Sequence, residues 1–202
     1  MTGVTHLDNI LYVVCPVSST IRLYNTASQS PLNVINVDGM ERPRDIVVCR
    51  DDRQLYIADY DCIWRVSVDD QSYVKWLTTA ESFHCYSLSL TSRRLLETSE
   101  SETGRPALRQ YNTTDRQLLR VVSLPQYVIV LFHGVETTRG TFVVSHRGKS
   151  VNDEQYAVSE LFSFYRTMHF SAKRGIAIAC RLSVRPSVRP SVRPSVCDVG
   201  EL

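Results

Sequence analysis

Two runs near the start of the chain carry apolar side chains without a break, ILYVV from Ile10 to Val14 and LYIA from Leu55 to Ala58. A strand with one face in water alternates apolar and polar positions, so an unbroken apolar run points to a strand buried on both faces. Each run leads through a polar tip into a second, mixed strand, IRLYN at Ile21 to Asn25 and IWRVS at Ile63 to Ser67. β-Branched and aromatic residues dominate both, and no 3.6-residue periodicity persists to support an amphipathic helix. The pattern predicts an all-β chain.

The runs also repeat. Leu11-Tyr12-Val13-Val14 lies over Leu55-Tyr56-Ile57-Ala58 at an offset of 44 residues. A weaker third copy covers Arg93 to Asn112, where LRQYN echoes IRLYN, and a fourth begins at GTFVVSH, Gly140 to His146, and finishes with VSELFSF, Val158 to Phe164. A short strand precedes each of the later copies, at Asp45 to Cys49, within SFHCYSLSLTSRR and within LFHGVETTRG. A more polar strand closes each of the first three, LNVINV, YVKWLT and LLRVVSLP. Four short strands in about 40 to 45 residues are the size of a β-propeller blade. The expected fold is therefore all-β, with propeller-like blades of four antiparallel strands. Blades stack face to face, so their middle strands are buried on both sides. On this reading Leu11, Leu55 and Phe142 are buried, and so are Tyr12, Tyr56 and Val143 on the opposite faces. The third copy carries a long insertion at ETSESETGRP.

Composition changes this picture little. The 202 residues are 43% hydrophobic, 22% charged and 9% aromatic, as in ordinary globular proteins. A net charge of +2 makes no strong case for nucleic acid or an anionic membrane as partner. The opening MTGVTHLDNILYVVCPV lacks a basic n-region, and the longest uncharged stretch, Val121 to Val135 with Pro125 inside, is too short for a membrane helix of about 20 residues. It reads as buried strand, and the expected location is the cytoplasm. The six cysteines (Cys15, Cys49, Cys62, Cys85, Cys180 and Cys197) form no CxxC pair and no metal-ligand spacing with histidine, so they are expected as free thiols. The NTT at Asn112 reads as a polar turn.

The segment RPRDIVVCRDDRQLYIADYDCIWRVSVDD resembles an NHL repeat, the blade unit of six-bladed propellers. Its first strand opens on a proline, and an apolar strand ends in aspartate before an isoleucine-led strand. Pro43, Ile46, Leu55, Tyr56, Ile57, Ala58, Asp59 and Ile63 occupy that pattern. In the other copies Cys15, Glu97-Thr98 and Ser145 stand where Asp59 does. The resemblance covers residues 1–164 as one NHL-like unit and implies a platform that binds protein or RNA, with enzymes as a minority. Four blades fall short of six, which implies an incomplete ring, a fragment or truncated gene model, with outer faces prone to self-association.

Beyond Phe164 the character changes. Residues 165–202 contain three tandem copies of SVRP, Ser183 to Pro194, and resemble a translated simple nucleotide repeat. Proline at every fourth residue blocks helix and internal strand pairing, so a disordered tail is expected.

Catalytic signals are few, with no phosphate loop, no GxSxG and no HExxH. The cluster HGVETTRG, His133 to Gly140, reads as a strand and its hairpin turn, because acid–base work needs partners from elsewhere in the fold. Asp59 and Asp61 offer a carboxylate pair at a channel, against the simpler reading that an aspartate at a strand end binds backbone N–H groups. His84 and Cys85 read as core filling, and Trp64, Trp76 and Tyr73 as packing between blades. The sequence thus points to a non-catalytic, protein-binding module without cofactor or metal. A propeller hydrolase or lyase is the first alternative, and an RNA-binding NHL domain the second. A contiguous basic face would favour RNA; carboxylates and histidines meeting from several blades would favour the enzyme.

Overall fold

The structure, a computed structural model, describes residues 3–78, 83–101, 105–148 and 156–161. These form fifteen strands in four antiparallel sheets, each sheet running through its strands in sequence order. The first sheet holds β1 (Gly3–Leu7), β2 (Ile10–Val14), β3 (Thr20–Asn25) and β4 (Pro31–Asn36). The second holds β5 (Asp45–Cys49), β6 (Gln54–Ala58), β7 (Cys62–Ser67) and β8 (Tyr73–Thr78). The third holds β9 (Phe83–Thr91), β10 (Arg94–Ser101), β11 (Pro106–Asn112) and β12 (Leu118–Val122). The fourth holds β13 (Val128–Glu136), β14 (Phe142–Gly148) and β15 (Tyr156–Leu161). The tail at 165–202 lies outside the described residues.

Repetition shows in the turns as well as in the strands. Three times the third strand hands over to the fourth through the same loop. The N–H groups of Asn25, Ser67 and Asn112 donate to the carbonyls of Ser30, Ser72 and Gln117, and those of Gln29, Gln71 and Arg116 donate back to Asn25, Ser67 and Asn112. The fourth loop residue sits in the left-handed region each time, with φ of 55°, 59° and 63°. None of the three is β-branched, the class least tolerant of that conformation.

Three buried clusters join successive sheets. Tyr12, Val14 and Ile21 of the first pack on Ile46, Leu55, Ile57 and Trp64 of the second. Tyr56, Ala58, Ile63 and Trp76 pack on Cys85, Leu88, Leu95 and Tyr111 of the third. Leu96 and Leu108 pack on Leu131, Phe142, Val144 and Leu161 of the fourth. Trp76 stands edge-on to Tyr56 at 5.1 Å and to Tyr111 at 6.2 Å, while Trp64 fills the first seam, so both tryptophans pack between sheets as expected. Among the described residues no buried cluster links the fourth sheet to the first, and the four sheets form an open arc.

That arc explains which middle strands are buried twice over. In β6, Leu55 to Ala58 are all buried, and in β10 so are Leu95 to Ser99. In β2 and β14 burial alternates: Tyr12, Val14, Phe142 and Val144 are buried, whereas Leu11, Val13 and Val143 are half-buried. The expected burial of Leu11 and Val143 is therefore corrected, because their side chains lie on the two faces without a neighbouring sheet. ETSESETGRP is corrected over its first half: Glu97 to Glu100 pair with both β9 and β11 and Ser101 pairs with β9, while residues 102–104 lie outside the described residues. The uncharged stretch from Val121 divides into the end of β12, a link through Pro125 and the strand β13.

Inner strands converge tightly. A Cβ on Gly3 would lie 2.6 Å from the Cα of Asp45 in the next sheet, so only glycine fits there. Among the described residues no helix is long and apolar enough to cross a membrane.

Candidate functional site

Asp59 ends β6, where the apolar run meets the tip. Its carboxylate is buried and accepts four hydrogen bonds. Oδ1 takes the N–H groups of Arg42 at 2.6 Å and Tyr60 at 2.9 Å; Oδ2 takes Glu41 N–H at 2.9 Å and the Trp64 indole N–H at 3.0 Å. These bonds clamp the segment that carries the chain from the first sheet to the second, beside buried Pro43. Asp61 is exposed. The Asp59 oxygens are occupied by backbone N–H groups and the Trp64 indole. Of the other signature residues, Leu55, Tyr56, Ile57, Ala58 and Ile63 are all core.

Beyond that clamp the tip builds a basic and aromatic platform. Tyr60 stacks on His84 at 4.2 Å between ring centroids, with the guanidiniums of Arg42 and Arg44 at 5.5 and 5.8 Å from its ring. Arg44 also lies 4.5 Å from the ring of Tyr86, whose hydroxyl donates to Glu100 at 2.6 Å. Burial raises the Tyr86 phenol above its ordinary pKa, and the bond to Glu100 raises it further. Neither Arg42 nor Arg44 makes an ion pair with a described residue. Cys85 is core as expected; His84 is instead half-buried against Tyr60. Sequence reasoning missed this group because Arg42, Tyr60 and Tyr86 come from three segments that only the sheet stacking brings together.

The hairpin end of the arc carries mixed charge. Arg53 bridges Asp8 at 3.0 Å and Asp69 at 2.7 Å, Arg93 reaches Asp52 at 3.2 Å, and Arg94 reaches Glu136 at 3.2 Å, so each seam is crossed by an ion pair. An open cleft of about 620 Å³ lies between the second and third sheets, lined by Arg65, Asp70, Ser72, Thr113 and Arg116 among others. Hydrogen bonds from Ser67 and Ser72 hold the Asp70 carboxyl down at about 2.

Near the inner strands, the structure supplies His133 with a partner that its own hairpin lacks. Its Nδ1 lies 2.9 Å from Ser87 Oγ of the third sheet, and Ser87 Oγ also contacts Thr98 Oγ1. Asp45 on β5 accepts from Leu88 N–H and Ile46 N–H, both at 2.9 Å; burial raises its carboxyl, and these two backbone bonds draw it partly back. Glu136, from the same hairpin, is buried under Arg94, Arg120 and Gln110. Gly140 turns the hairpin at φ 76°. Among the described residues, no three of His, Cys, Asp and Glu are grouped to hold a metal ion. Cys15, Cys49, Cys62 and Cys85 are free thiols.

No family model matches the chain, and neither does any curated protein. Among solved structures the chain is similar to the hydrazine synthase of Kuenenia stuttgartiensis, with a TM-score of 0.61 and 14% sequence identity. The match covers 79% of this chain and 49% of that one, so the chain spans about half the length of the structure it resembles. At that identity the likeness concerns the fold alone. Four stacked antiparallel sheets in an open arc, together with that match, make this a propeller-like all-β chain.

Proposed function

We propose that the chain is a non-catalytic, protein-binding propeller scaffold of NHL type, and that its platform at Tyr60 receives acidic side chains of a partner. The observation that carries this reading is the stack of Arg42, Tyr60, Arg44 and Tyr86. Two guanidiniums that make no ion pair with a described residue are held over aromatic faces, and arginine and tyrosine are the residues that dominate protein interfaces. The blade signature from Pro43 to Ile63 supports the NHL assignment, and its Asp59 holds the backbone of Arg42. Free thiols suit a reducing cytoplasm. The opposite end, with both signs of charge interleaved, offers no continuous basic track for RNA.

Fluorescence anisotropy with an acidic Glu-rich peptide tests this. Binding should weaken about tenfold in Arg42→Glu/Arg44→Glu, the loss of a hot-spot charge pair. Tighter binding of a single-stranded RNA than of the peptide would favour the RNA reading instead.

A second reading rests on Ser87 and His133, a hydroxyl and an imidazole from two sheets within hydrogen-bond reach, as a hydrolase needs. Ser87 is buried and also engaged by Thr98, and both Asp45 oxygens already accept backbone N–H groups. A fluorophosphonate probe decides between them: labelling that disappears in Ser87→Ala would establish the enzyme.

A further inference from the structure

The first and fourth sheets each present a face built for stacking. On the first, cross-strand pairing sets Val4, Val13, Arg22 and Val34 in one row over β1 to β4. The same row in the second sheet is Ile46, Ile57, Trp64 and Lys75, and its first three members are buried against the first sheet. Val4 is 55% exposed and Val34 43%. On the fourth sheet the outward row is Val135, Val143 and Glu160, with Val158 beside it 61% exposed.

The two rows match position by position. Inner strands carry Val4 and Val135, middle strands Val13 and Val143, and third strands Arg22 and Glu160. Both charged residues are exposed, and neither forms an ion pair with a described residue; Glu160 accepts from Thr141 Oγ1 at 2.9 Å. We infer that a second copy of this chain covers these faces head to tail, the fourth sheet of one copy stacking on the first sheet of the other as consecutive sheets do within the arc. Valine then meets valine nearest the axis, and Arg22 meets Glu160 at the outer radius. The contact continues the interface already made three times within the chain. Such a heterologous contact either closes into a ring or extends into a filament.

Sedimentation velocity of the full 202-residue chain over a concentration series tests this. Species heavier than the 23.0 kDa chain are expected, and Arg22→Glu or Glu160→Arg should each weaken association tenfold or more. Mixing the two variants in equal amounts should restore it, because every contact in the mixed assembly again pairs opposite charges; a folding defect would not be rescued this way. A monomer at every concentration would overturn the inference. So would association that neither charge reversal changes.

Discussion

The indole N–H of Trp64 donates to Asp59 Oδ2 at 3.0 Å, and the same carboxylate holds the backbone of Glu41 and Arg42. Trp64 at the same time packs in the seam between the first two sheets. One buried acid therefore fixes a tip, a core tryptophan and the link between two blades.

Asp59→Ala should cost about 3–5 kcal/mol, since it strands buried donors that a charged acceptor had satisfied. Asp59→Asn keeps one acceptor oxygen and should lose about half as much. Urea midpoints at constant slope measure both. A loss below about 1 kcal/mol for the alanine variant would show that the clamp is not structural.

Ile57 and Val13 occupy the same place in successive blades, yet Ile57 is fully buried and Val13 half-buried. Ile57→Ala should cost about 2–5 kcal/mol and Val13→Ala no more than about 1 kcal/mol. Equal losses in urea melts of the monomeric form would mean that both blades are stacked on two sides.

Gly3→Ala should destabilise by about 1–3 kcal/mol through overpacking, because the atoms a methyl would meet are backbone and cannot swing aside. Gly140→Ala, where nothing lies within 4 Å, strains only a φ of 76° and should cost less. Thermal melts of the two variants give the comparison.

Glu97 is fully buried in β10, with Arg109 Nη1 3.8 Å from its Oε1. Burial pushes its carboxyl above the ordinary 4.5, and Arg109 offsets only part of the rise. The folded form thus holds this proton more tightly than the unfolded chain does. Its contribution is fully present below the unfolded value and is lost as pH rises through the raised folded value. Glu97→Gln should therefore be more stable than the native chain at neutral pH, with the difference vanishing in acid. Denaturant melts at several pH values measure it, and a pH-independent difference would contradict the assignment.

Much of the architecture lies in local pattern. Asp45–Cys49 and Tyr73–Thr78 are strands at the limits their β-branched and aromatic runs imply, and LYIA is buried on both faces as its lack of alternation requires. The hairpin in HGVETTRG is likewise local chemistry, a turn that glycine permits. What a neighbouring sheet decides could not be read along the chain. Leu11 and Leu55 sit in similar sequence, but only Leu55 has a sheet on its far side. Glu97 to Ser99 look like the start of a polar insertion, yet lie buried in β10 because pairing with β9 and β11 places them between two sheets. The stack at Tyr60 and the contact of Ser87 with His133 join segments from different blades. Strand pattern is set by which faces are apolar, over a few residues. Burial, paired charge and convergent chemistry depend on which faces meet, and that was settled only when the sheets stacked.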